Sequence, residues 1–133
     1  MPAGQPAPGD QYLAQASEYR AISLDDYRRE WKTQRIVERT LQMAIEACLD
    51  IAAHVIADGG LRVPVTYADT FDVLAEAGLI DADLRVQMAR VAGFRNVIVR
   101  EYARIDADIV VRILRERLDD LARFRTAALG WFA

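Results

Sequence analysis

The sequence predicts an all-α protein, an antiparallel helical bundle of about five helices, and three observations carry that prediction. Apolar residues recur at Val37, Leu41, Ala44, Cys48, Ile51 and Val55 in alternating steps of four and three, one continuous stripe of a long helix. Residues that cap helix starts (Ser23, Thr66, Asp81, Asp106) and glycines that close helix ends (Gly59, Gly60, Gly78) punctuate the chain at short intervals. Nowhere do apolar and polar residues alternate with period two over a useful length, so no strand pattern competes. With 133 residues the chain has enough material for one domain with a modest core.

The elements follow in order. Residues 1–9 hold three of the four prolines and read as a disordered tail, leaving 10–133 as the folded domain. Leu13, Ala16 and Arg20 lie at helical spacing, giving a short helix from Asp10 to Arg20. Ser23, with Asp26 three residues on, opens the long helix. Tyr27 and Trp31 extend its stripe backwards, as packing residues, and Asp58-Gly59-Gly60 stops it. A helix of more than thirty residues needs a partner along most of its length, hence a bundle or a dimer. After the connection Leu61–Val65, Thr66 and Asp69 form a second capping signature, and Phe71, Leu74 and Ala75 give the next helix an inner face. Asp81 opens a helix whose stripe reads Leu84, Met88, Val91, Arg95, Ile98, Tyr102 and Ile105. Asp106 caps the last helix, with Val110, Leu114, Arg117, Leu121, Phe124 and Ala128 on one face.

The net charge of −3 excludes a polycation that binds nucleic acid through bulk charge. Charge is nevertheless unevenly spread. Asp69, Asp72, Glu76, Asp81 and Asp83 are unrelieved by any Lys or Arg, whereas residues 85–104 carry five arginines against Glu101 alone. A local basic stretch can hold phosphate in an acidic protein, although a solvated helix face has the same composition. Cys48 is the single cysteine, so no intrachain disulfide forms and a reducing cytoplasm is expected. One Cys and one His exclude a zinc site built from those ligands. The first nine residues have neither an apolar run nor a basic leader, and no segment approaches the roughly 20 apolar residues of a membrane span.

Chemistry singles out Arg95, because every other member of its stripe is apolar or aromatic. A guanidinium left buried and unpaired there would cost several kcal/mol, on the order of the desolvation of one ion. It must pair with an acid of the same chain, or face a cleft or a subunit boundary. Tyr102 lies two turns further along that face, and Asn96 and Arg100, four apart, share a neighbouring one. The four could border one groove. They could equally be a core-edge ion pair and an ordinary core aromatic.

The run Arg95-Asn96-Val97-Ile98-Val99-Arg100-Glu101-Tyr102 resembles the Arg-Asn…His-x-Tyr motif of the HepT-like toxins, small helical ribonucleases of the HEPN superfamily encoded beside a minimal nucleotidyltransferase antitoxin. The likeness extends to Trp31–His54, similar to that family's long core helix, to Gly59–Pro64 with Tyr67–Phe71 and Leu74–Gly78, and to Phe94–Tyr102 with Ile105-Asp106, together about residues 12 to 130. It implies a HEPN-like homodimer whose motif-bearing helices meet in a groove that cleaves RNA, tRNA or mRNA, without metal or cofactor. By resemblance, Arg95 would hold the scissile phosphate, Asn96 would orient the phosphate or the catalytic side chain, and Tyr102 would accept AMP from the antitoxin. Arg100 stands where the family has its proton-transferring His.

Arginine has a pKa above about 12 and cannot act as a base. Losing general acid–base help typically costs a factor of about 100 to 10,000, so an intact fold with weak or absent turnover is expected. The alternative is a non-catalytic helical dimer, an interaction module or modification substrate for the nucleotidyltransferase. Elsewhere, His54 reads as a structural or surface residue that can pair with Asp50, and Cys48 as a small core residue. Trp131 and Phe132 suit a closing core contact or an antitoxin-binding patch.

Overall fold

In a computed structural model, residues 9–100 and 106–131 are described, the side chains of residues 99 and 100 excepted. These residues form seven helices and no strand: α1 (Asp10–Ser17), α2 (Leu24–Arg29), α3 (Trp31–Asp58), α4 (Tyr67–Glu76), α5 (Ala82–Arg100), α6 (Ala107–Glu116) and α7 (Leu118–Trp131). The extra helices relative to the expected five come from dividing two long ones.

The first division is at Glu30. Its backbone is extended (φ −116°, ψ 93°), so the helix opened at Ser23 ends at Arg29 and a new one begins at Trp31. Gln34 makes the break affordable: its Nε2 donates to the carbonyls of Tyr27 (2.9 Å) and Arg28 (3.1 Å), both at the unpaired end of α2. Tyr27 is buried as expected, but the bend turns Trp31 outward, and it is 65% exposed rather than packed. The second division is at Arg117 (φ −106°, ψ −13°), which separates α6 from α7.

The caps lie where the sequence places them. Ser23 accepts from the amide of Asp26, Thr66 from Asp69, Asp81 from Leu84 and Asp106 from Asp108, at 2.7–3.1 Å. At the end of α3, Gly60 takes the left-handed conformation (φ 62°), Gly60 N–H donates to Ala57 and Leu61 N–H to Ile56, satisfying carbonyls the helix cannot. Gly9, expected in the tail, belongs to the fold: it starts α1 so close to α3 that an added Cβ would lie 2.7 Å from Cβ of Ala47.

α3 is the axis of the core. Its buried residues Val37, Leu41, Ala44, Ile45, Cys48, Leu49, Ala52 and Ile56 meet α1, α4, α5 and α7. Phe124 of α7 packs edge-to-face between Phe71 of α4 (5.5 Å) and Trp131 (5.6 Å), which makes Trp131 a closing core contact. Phe132 lies outside the described residues. By length and mean hydropathy (1.4) α3 could cross a membrane, contrary to expectation, but its apolar stripe is the one that packs against the neighbouring helices.

Candidate active site

α5 carries the predicted stripe. Leu84, Met88, Val91 and Ile98 are almost fully buried, and they fix the rotation of the helix so that Arg95 points toward α3 and the start of α4. The guanidinium does not sit in apolar surroundings alone. Its Nη2 lies 3.2 Å from Oε1 of Glu46 on α3, and Glu46 Oε1 also accepts from Gln42 Nε2, one turn earlier, at 3.3 Å. The Tyr67 ring lies beneath the guanidinium, 4.4 Å from its centroid to Cζ, in cation–π geometry. Arg95 thus pairs with an acid of the same chain, and 19% of its side-chain surface stays open. Nε is buried and has no hydrogen-bond partner among the described residues, a donor left without an acceptor.

Tyr67 is held by its own scaffold. Arg62 bridges Asp69 through two hydrogen bonds of 2.8 Å and Glu76 through two of 2.8 and 3.1 Å, and Val65 N–H donates to Asp69 Oδ2 at 2.9 Å. The connection 61–66 is thereby tied to α4, which starts at Tyr67. The Arg62 guanidinium holds the carboxyls of Asp69 and Glu76 well below the usual range, and they in turn raise the pKa of Arg62.

Asn96, half-buried, follows Arg95 on the neighbouring face of α5. Arg100 is the last residue of α5. Its side chain, together with Tyr102 and Ile105, lies outside the described residues. Glu46, Gln42 and Tyr67 were not singled out from the sequence. Glu46 had a signal, being the sole charge between Arg39 and Asp50 in an apolar run. Tyr67 had none, because only the tertiary approach of α4 to α5 gives it a role.

The other singled-out residues sit apart. His54 is exposed, and its Nε2 lies 3.1 Å from Oδ2 of Asp58, one turn beyond it. Cys48 is buried, and burial pushes its thiol up to about 12. The five acids of 69–83 are not a bare acidic patch, since Arg62, Arg85 and Arg123 bridge them. Among the described residues no group of three or more His, Cys, Asp or Glu side chains is arranged to hold a metal ion.

Comparison with known proteins gives a consistent picture. The family described as ribonuclease HepT-like matches residues 10–128. An mRNA nuclease HepT of Shewanella oneidensis is 33% identical over 98 residues, 74% of each chain. A tRNA nuclease HepT of Aphanizomenon flos-aquae is 33% identical over 99 residues, 74% of this chain and 67% of that one. Among solved structures, the tri-AMPylated Shewanella oneidensis HEPN toxin in complex with its MNT antitoxin superposes with a TM-score of 0.83 at 27% identity, covering 93% of this chain and 92% of that one. A toxin–antitoxin complex with AMP-PNP gives 0.84 at 26% identity, covering 93% of both chains.

Proposed function

This chain belongs to the HepT-like ribonuclease family, and from that premise we propose that it is the toxin of a toxin–antitoxin pair, a cytoplasmic RNA-binding homodimer held by a nucleotidyltransferase antitoxin and impaired in cleavage at Arg100. The observation that carries the proposal is Arg95: a charged group on a buried stripe, fixed by Tyr67 and Glu46, with exposed surface and an unpartnered donor.

Metal-free RNA cleavage needs little else to bind the phosphate. The ribose 2′-oxygen attacks phosphorus and the bond to the 5′-oxygen breaks, leaving a cyclic phosphate and a free 5′-hydroxyl. The Arg95 guanidinium, with its rigid fork of N–H donors, stabilises the charge that builds on the non-bridging oxygens, and Asn96 orients the phosphate beside it. One proton must leave the 2′-hydroxyl and one must reach the 5′-oxygen. Arg100 adds charge but accepts no proton, so water performs the transfer and the rate falls by about 100- to 10,000-fold. Because Arg100 also keeps phosphate affinity, a non-catalytic binding dimer is the second reading.

The relatives extend this to regulation. A tri-AMPylated toxin in complex with its antitoxin supports Tyr102 as an AMP acceptor in this chain. Such a bulky anion, seven residues along the chain from Arg95, would repel RNA from a shared groove. We take residues 10–133 to act as one unit in all these roles.

The test is expression in a bacterial host. The Arg100→His variant is expected to arrest growth while the natural chain does not. Co-expression of the nucleotidyltransferase is expected to restore growth and to add AMP to the protein, by intact mass, with no addition at this site in Tyr102→Phe. Unimpeded growth with Arg100→His at full expression would contradict the proposal.

A further inference from the structure

We propose that the outer face of the N-terminal half of α3 is a track for single-stranded RNA that leads the strand to Arg95. This rests on the reading of Arg95 as a phosphate site.

Residues 28–39 carry Arg28, Arg29, Lys32, Arg35 and Arg39 in a chain of net charge −3. The acids in that segment are Glu30 and Glu38, and Glu38 is 5% exposed and held by Arg35 at 2.6 Å. Arg28 is paired with Asp108 at 3.4 Å, and Arg20, Arg62, Arg85, Arg117, Arg123 and Arg125 each have an acid partner too. Exposed Lys32 and Arg39 have none among the described residues. Lys32, Arg39 and Glu46 are spaced by seven, two turns each, so they lie along one side of α3, and Arg95 is bound to Glu46 at its far end. At 1.5 Å rise per residue, the line from Lys32 to Glu46 is about 21 Å long, room for several phosphates.

At the start of the line stands Trp31, 65% exposed, with Lys32 Nζ 5.7 Å from the ring centroid. Such a large exposed aromatic beside cations that no acid neutralises is the pairing that binds single strands: the ring stacks a base while the cations follow the backbone. A duplex has no free base to offer the ring. The bend at Glu30 is what exposes Trp31, so the broken helix has a use that a continuous one would not.

The experiment measures the affinity of the full chain for a fluorescent, 2′-O-methylated 12-nucleotide single-stranded RNA by anisotropy, across a salt series. Methylation removes the attacking hydroxyl, so cleavage does not intervene. For Lys32→Ala/Arg39→Ala, the slope of log affinity against log salt is expected to fall by about 1.4, two single-strand phosphate contacts at roughly 0.7 each. Trp31→Ala is expected to weaken binding about five-fold or more with little change in slope. A control, Arg112→Ala/Arg115→Ala, removes the same charge from exposed sites on α6, outside the basic stretch of 85–104, and is expected to leave the slope unchanged. If the track variants match this control while Arg95→Ala still weakens binding, the track is refuted and the Arg95 reading stands. If Arg95→Ala has no effect either, or the natural chain binds no RNA, both fall. If the track variants lower the sedimenting mass and leave RNA affinity intact, the face is a protein interface and the track is refuted.

Discussion

Glu38 is buried and Arg95 is mostly covered, and their surroundings treat the two charges differently. Arg95 keeps an open edge over Tyr67, whereas Glu38 is enclosed and paired with Arg35. Burial raises the Glu38 pKa, and the pairing with Arg35 only partly opposes the shift. A carboxyl whose folded pKa is raised takes up its proton more readily when folded, so its contribution to stability improves as pH falls through the folded value toward the unfolded one, about 4.3. The melting temperature of the natural chain minus that of Glu38→Gln should therefore rise as pH falls from 8 to 4, and a flat or falling difference would contradict this. Asp69, Glu76 and Asp83 have the opposite sign, their pKa values being lowered by Arg62 and Arg123. Their contributions are complete above the unfolded values near 4 and are lost as pH falls through the folded ones.

Helix starts were legible because a cap is a local event: Ser23, Thr66, Asp81 and Asp106 each accept a hydrogen bond from an amide two or three residues on. The breaks at Glu30 and Arg117 were not. The apolar stripe runs through both, and the break at Glu30 depends on Gln34 reaching back over six and seven residues. In the candidate site, Arg95 stood out as a charge on an apolar stripe, but Tyr67 is brought beneath it only when α4 meets α5. Two glycines test how far local rules hold. Gly78 closes α4 at φ 77° with open space where a side chain would go, so Gly78→Ala should cost about 1 kcal/mol of conformational strain alone. Gly93 is exposed within α5 and also has open space, so Gly93→Ala should stabilise by roughly 0.5–1 kcal/mol. Thermal or urea unfolding of both variants reads the two opposite signs.

The whole molecule joins an acidic chain to a locally basic face, and a helical scaffold to a site fixed from three helices. α3 supplies Glu46 and Gln42, α4 supplies Tyr67, and α5 supplies Arg95. Residue 100 is not among these groups, so the proposed RNA binding and the proposed loss of turnover are tested separately. The direct measurement is cleavage of labelled tRNA and mRNA, in EDTA, by the purified natural chain and by Arg100→His. The account predicts that the His form cleaves and that the natural chain is slower by about 100-fold or more, the usual value of general acid–base help. Equal rates in the two proteins would contradict it, since another group would then be moving the protons.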